Sequence, residues 1–300
     1  CLRLVGSEMC IRDRPIAAFL HLLIYVGFVI INIEVIEIII DGVFGTHRFL
    51  AHILYPQLYS FLIGSFEILA FLVLFSCVVF FIRRNIIKIK RFWSKEMTTW
   101  PKTDANLILI FEIFLMTAFI VMNCSDQILQ ERGVDHYIIA GSFPISSFFV
   151  PLFDSFSSTN LIIIERFTWW FHILGILAFL NYVLISKHLH IFFAFPSTYY
   201  ANIEKLGKFD NLKSVTNEVK LMLDPNADPF AVPQNQDQKP VSLFGARDAT
   251  DLNWVQLLNA YSCTECGRCS SVCPANQTGK ELSPRKIMTV SYTHLRAHET

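Results

Sequence analysis

The chain has 300 residues, 53% of them hydrophobic and only 17% charged, with a mean hydropathy of +0.44 and a formal net charge of +0. Soluble domains carry roughly a quarter charged residues, so this composition excludes an ordinary soluble enzyme and requires lipid around part of the chain. The balanced charge gives a nucleic-acid partner no electrostatic support.

Both ends resemble peptides translated from sequencing-adapter DNA, CLRLVGSEMCIRDR at the start and VSYTHLRAHET at the finish. Residues 1–14 and 290–300 are therefore set apart from the fold as an artefactual leader and tail. Four apolar runs follow, at 16–40, 57–82, 105–124 and 167–195, each long enough for the about 20 helical residues that cross a hydrocarbon core. Pro196 is expected to stop the last of them. The segment 143–153 is too short to span and is broken by Pro144 and Pro151, so it reads as an interfacial loop.

Lysine and arginine predict the orientation. The second connection carries Arg83, Arg84, Lys88, Lys90, Arg91, Lys95 and Lys102, whereas 125–166 holds only Arg132 and Arg166 among its basic side chains. The basic loop is expected on the cytoplasmic side of a prokaryotic inner membrane, with His47 and His52 outside and everything after Pro196 inside. Residues 15–196 then form a multi-pass membrane domain and 197–250 a cytoplasmic linker. That linker includes a short helix near 215–223 and an extended stretch at 224–239 rich in Pro, Asp, Asn and Gln.

A short helix at 251–261 leads into CTECGRCSSVCP. Cys263, Cys266, Cys269 and Cys273, followed by Pro274, match the ferredoxin run C-x2-C-x2-C-x3-C-P, whose closely spaced thiolates wrap a corner of a [4Fe–4S] cube. A zinc site would normally pair two separated C-x2-C knuckles, so the spacing favours iron–sulfur. In two-cluster ferredoxins the fourth cysteine serves the other cluster. The segment 251–289 therefore reads as an incomplete ferredoxin-type domain, expected to continue past Met288 in the native protein.

The fold expected is an all-α membrane bundle of about four transmembrane helices followed by this α-helical iron–sulfur segment. Ionisable groups inside spans are functional candidates. His172 and His190 lie 18 residues apart on the fourth run, about five turns and about 27 Å along one helix face, which suits axial ligation of two stacked b-type haems. His188 is rotated roughly 160° from that face. His21, near the cytoplasmic start of the first run, matches His190 in depth and could share the inner haem with it. His47 and His52 are weaker candidates for the outer haem. Glu34, Glu37, Glu67 and Glu112 either carry protons from a quinol or hydrogen-bond to neighbouring helices, while Cys77 and Cys124 read as packing residues.

On AAFLHLLIYVGF, FIRRNI, DANLILIF and FHILGILAFLNYVLISKHLHIFFAFP, the membrane part resembles the haem-binding gamma subunit of respiratory nitrate reductase. The cysteine segment resembles the ferredoxin-like part of membrane-bound heterodisulfide reductase and related iron–sulfur oxidoreductases. The resemblance implies His21 and His190 on the cytoplasm-side haem and His172 on the outer one. The chain departs from that pattern in having Ile31 where the family places a second histidine in its span, and four spans rather than five. The function this implies is a membrane-bound oxidoreductase moving electrons between quinone and a cytoplasmic iron–sulfur or flavin partner through b-haem and [4Fe–4S]. The alternative is a haem-free membrane anchor presenting a ferredoxin-like module. A transporter is disfavoured, as no inverted repeat or pair of broken helices is visible.

Overall fold

The computed structural model describes residues 15–94, 97–201, 213–225 and 248–298. Among these, every regular element is a helix. In chain order they are α1 (Pro15–Phe44), α2 (Phe49–Ile53), α3 (Pro56–Asn85), α4 (Trp100–Glu131), α5 (Val150–Phe153), α6 (Ser158–Val183), α7 (His190–Tyr199), α8 (Lys213–Leu223), α9 (Trp254–Tyr261), α10 (Arg268–Val272), α11 (Pro274–Gln277) and α12 (Pro284–His298). The two chain ends set apart above lie mostly outside the described residues, although α12 carries regular helix through 290–298.

Helices α1, α3, α4 and α6 are long and apolar enough to cross a membrane. Each buries one side and leaves another to lipid: Phe19, Phe28, Phe61, Phe71, Phe114 and Leu177 are all exposed in the isolated chain, an arrangement stable only in hydrocarbon. Helix α4 is the hub, packing against both α3 and α6, while α1 packs on α3. Ile31, Ile63, Phe66, Ala70, Val73, Leu115 and Phe119 form the core between them. Small residues allow the close approach: a Cβ on Gly27 would sit 2.5 Å from Val73 Cγ2, and one on Gly175 2.7 Å from Leu115 Cδ2. Prolines at the first turns of α3 and α4 start those helices without losing a bonded N–H.

The fourth apolar run departs from expectation. It is not one helix from 167 to 195: α6 ends at Val183, a 3-10 turn spans Lys187–Leu189, and α7 begins at His190. The cause is a buried acid on the neighbouring helix. Asp104 accepts from the Tyr182 and Ser186 hydroxyls and from the Lys187 N–H at 3.0 Å, offering this backbone partners that a continuous helix would not need. His172 and His190 therefore stand on two helices, so the single-face argument from helical spacing does not hold between them. Nor does Pro196 stop the chain. Helix α7 runs through it to Tyr199, with Tyr200 N–H bonded to the Pro196 carbonyl at 3.0 Å.

The short segment before α6 forms a 3-10 turn at Ser146–Phe148 and then α5, neither able to span. Its anchor is Glu67, eleven residues into α3 and so about 16 Å along that helix. The Glu67 carboxylate accepts from the backbone N–H groups of Ile145 and Ser146 and from the Ser146 hydroxyl. Ser146 is thus buried against α3, while Phe148 of the same turn stays exposed.

Candidate functional site

Helix α1 places His21 in its second turn, and α7 places His190 at its first residue. Their ring centroids are 6.4 Å apart, the planes tilted by 48°. Two imidazoles on opposite sides of one metal need about the same spacing, since each metal–nitrogen bond is about 2.0 Å and the ring centre lies roughly 1.1 Å beyond the nitrogen. His190 Nδ1 donates to the Lys187 carbonyl at 3.0 Å, which leaves Nε2 as the available ligand atom. His188 is 5.5 Å from His190, its edge turned to Phe179 at 5.2 Å.

His172 lies deeper, buried where α6 crosses α4. Its Nδ1 donates to the Leu115 carbonyl at 3.1 Å and its ring is 5.9 Å from Phe119. This too orients one free nitrogen, but the ring beside it is Phe119 and not a second imidazole. His47 has both nitrogens engaged, Nε2 with Asp126 at 2.9 Å and Nδ1 with the Ile138 N–H at 3.4 Å. His52 lies exposed near the end of α2. The structure therefore brings His21, His188 and His190 together, keeps His172 apart, and puts His47 into a polar cluster.

That cluster was not legible in the sequence. Arg48, held in a left-handed turn at φ 55, extends its guanidinium to Asp126, Glu34 and Asn123. Asp41 stabilises the turn by accepting from the N–H groups of Arg48 and Phe49 and from Thr46. Glu37 accepts from Leu50 N–H and Tyr59 OH. Three of the four acids singled out in the spans, Glu34, Glu37 and Glu67, thus hold neighbouring segments in place. A cleft opens beside the cluster, lined by Glu37, His47, Arg48, Asp126, Glu165 and Trp169 among others.

At the other end of the bundle the cysteine loop docks on the membrane helices. Cys263, Cys266, Cys269 and Cys273 are all free thiols. Gly267 at φ 70 starts α10, and any side chain there would meet the Arg91 carbonyl at 3.1 Å. Burial pushes the Cys263 thiol up to about 11. Among the described residues no three His, Cys, Asp or Glu side chains are gathered tightly enough to hold a metal ion. The fit to a [4Fe–4S] cluster therefore rests on four reduced thiols at ferredoxin spacing around a glycine turn. The docking contacts are polar and aromatic: Lys187 Nζ to Glu265 at 3.1 Å, Ser197 to Asn259 at 2.9 Å, and Tyr200 edge-on to Trp254 at 4.6 Å. Sequence reasoning missed Lys187, Asp104 and Glu265. Glu265, between Cys263 and Cys266 of the cysteine run, was the available signal.

Comparison with known proteins gives the class first: the relatives are named as oxidoreductases, one of them iron–sulfur-binding, and as a membrane-anchored ferredoxin. Specifically, the chain is 29% identical over 290 residues to the probable iron-sulfur-binding oxidoreductase FadF of Bacillus subtilis, covering 97% of this chain and 36% of that protein. It is 26% identical over 293 residues to the EtfAB:quinone oxidoreductase of Syntrophomonas wolfei, covering 95% and 35%. A 45-residue stretch is 43% identical to a probable membrane-anchored ferredoxin of Chromohalobacter salexigens, covering 15% of this chain and 7% of that protein. The chain thus spans about a third of the length of the first two. No family model and no solved structure matches.

Proposed function

We propose that this chain is the membrane-embedded electron-carrying part of an iron–sulfur oxidoreductase, linking quinone to a [4Fe–4S] centre through b-type haem. The observation that carries the reading is the His21–His190 pair, spaced for one metal, at the end of the bundle where the cysteine loop docks. The similarity to a protein named as a quinone oxidoreductase supports the quinone link. The basic stretch around Arg83, Arg84, Lys88 and Arg91 supports a cytoplasmic face for that end, and so an inner-membrane location in a prokaryote. The reading is heterodisulfide reductase-like, with a cytoplasmic iron–sulfur or flavin partner.

In this reading His21 and His190 hold the inner haem, His172 supplies one ligand to an outer haem, and Cys263, Cys266, Cys269 and Cys273 serve the clusters. Bound haem and cluster supply the one-electron chemistry. The chain's own groups do the positioning. The Lys187 and Leu115 carbonyls fix the imidazoles of His190 and His172 in the tautomer that presents Nε2. The bundle buries His172, and this reading gives a quinone head group the polar cleft at the far end.

Reduced-minus-oxidised spectra of membranes carrying the chain test this. A b-type absorbance that His190→Ala removes is expected. A chain that binds iron and sulfide yet shows no b-type absorbance would leave only the haem-free anchor.

A further inference from the structure

Lys187 touches both ends of the proposed electron step. Its carbonyl receives the His190 Nδ1 proton at 3.0 Å, and its ammonium donates to Glu265 Oε2 at 3.1 Å. Glu265 stands inside the cysteine run, two residues after Cys263 and one before Cys266. The lysine is itself held from α4: its backbone N–H bonds Asp104 at 3.0 Å and its Nζ bonds the Pro101 carbonyl at 2.7 Å. Glu265 takes a second charge from Arg285 Nη1 at 2.7 Å. The side chains of Lys187, Glu265 and Arg285 are only 11%, 8% and 4% exposed.

Two features separate this from an incidental surface ion pair, which adds little. The pair is buried, so its length and direction are constrained. Glu265 also sits at φ 51, a conformation that glycine adopts freely and other residues adopt at a cost. A glycine would suit the backbone better, and it is the carboxylate that the position uses.

We infer that Lys187 and Glu265 form a positioning latch that fixes the cysteine loop relative to His190, and so sets the gap between the haem and its neighbouring cluster. The inference rests on the assignment of His190 and the cysteines to redox groups. One electron crosses that gap, one centre being oxidised as the other is reduced, with no bond or proton moved. Lys187 and Glu265 touch neither group; they act through the ring and the loop they hold.

The test uses the whole chain in membranes. A water-soluble carbodiimide, which joins an amine to a carboxylate in contact with it, should give a Lys187–Glu265 amide detectable by peptide mass spectrometry, both before and after cofactor loading. K187M and E265Q should each abolish it. Both should slow haem-to-cluster transfer about tenfold or more, as small misplacements do, at unchanged haem and iron content, and both should shift the cluster's midpoint potential. E265D should recover part of the rate. No amide in the unsubstituted chain, or K187M transferring at the unsubstituted rate, overturns the latch. Should E265Q take up no iron, K187M still supplies the rate, because its side chain lies outside the cysteine loop. Amide formed in a chain without b-type absorbance would sink the electron-transfer reading while leaving the contact established.

Discussion

Arg48 and Asp126, 78 residues apart in sequence, meet through two hydrogen bonds from Nε at 3.1 Å and Nη2 at 2.7 Å to the same carboxylate oxygen. The pair ties the turn after α1 to the last turns of α4. Glu34 and Asn123 take further guanidinium protons, so one buried cation neutralises acids from two spanning helices.

Removing the cation should therefore be costly. Arg48→Met leaves Glu34 without its partner and Asp126 with His47 alone, and breaking a buried pair from one side costs about 3–5 kcal/mol. Denaturant unfolding in detergent micelles should show that loss. Adding Asp126→Asn to the same chain should recover part of it, because the stranded charge is then gone; a double variant less stable than the single one would contradict the pairing.

His21→Ala and His190→Ala should remove the same b-type haem signal, since the two rings are 6.4 Å apart and the proposal gives them one haem. His188→Phe should keep that signal, because the His188 ring is packed edge-on against Phe179 and an apolar ring can fill that place. Redox difference spectra and haem extraction from membranes measure both.

The thiols should separate by role. Cys269→Ser should lower iron and acid-labile sulfide per chain, whereas Cys77→Ser should leave both unchanged, since Cys77 lies in the apolar core between the spans. Iron analysis after anaerobic reconstitution decides it.

Cys263 should resist alkylation in the cofactor-free chain at neutral pH. Burial moves its thiol from 9.0 to about 11, so it keeps its proton across the range where an ordinary cysteine ionises, and only the thiolate reacts or binds iron. Labelling should rise steeply above pH 9 and reach about half its limiting rate near 11, followed by mass spectrometry of iodoacetamide-treated protein. Iron uptake, which requires the same deprotonation, should likewise be favoured by higher pH.

Much of the architecture was readable from local pattern. A spanning helix satisfies its backbone within itself, so apolar length alone located the four crossings, and the bounds moved outward by one to four residues at the first two and by five and seven at the third. The cysteine run was visible as a spacing within a single loop, and its role as a cluster site belongs to the proposal. That His21 and His190 lie at one end of the bundle was expected from their places near the ends of their apolar runs, and their rings are 6.4 Å apart.

The remainder depends on groups distant in sequence meeting across the bundle. Nothing near residues 184–189 announces a helix break; Asp104, some 80 residues earlier, makes it by offering a buried carboxylate to Ser186 and Lys187. Glu67 draws in a turn that reads as a surface loop, and Lys187 finds Glu265 only once the cysteine segment docks. Hydrophobic length is a property of each segment taken alone, whereas a buried polar group must find its partner wherever the fold supplies one, and only the assembled helices say where that is.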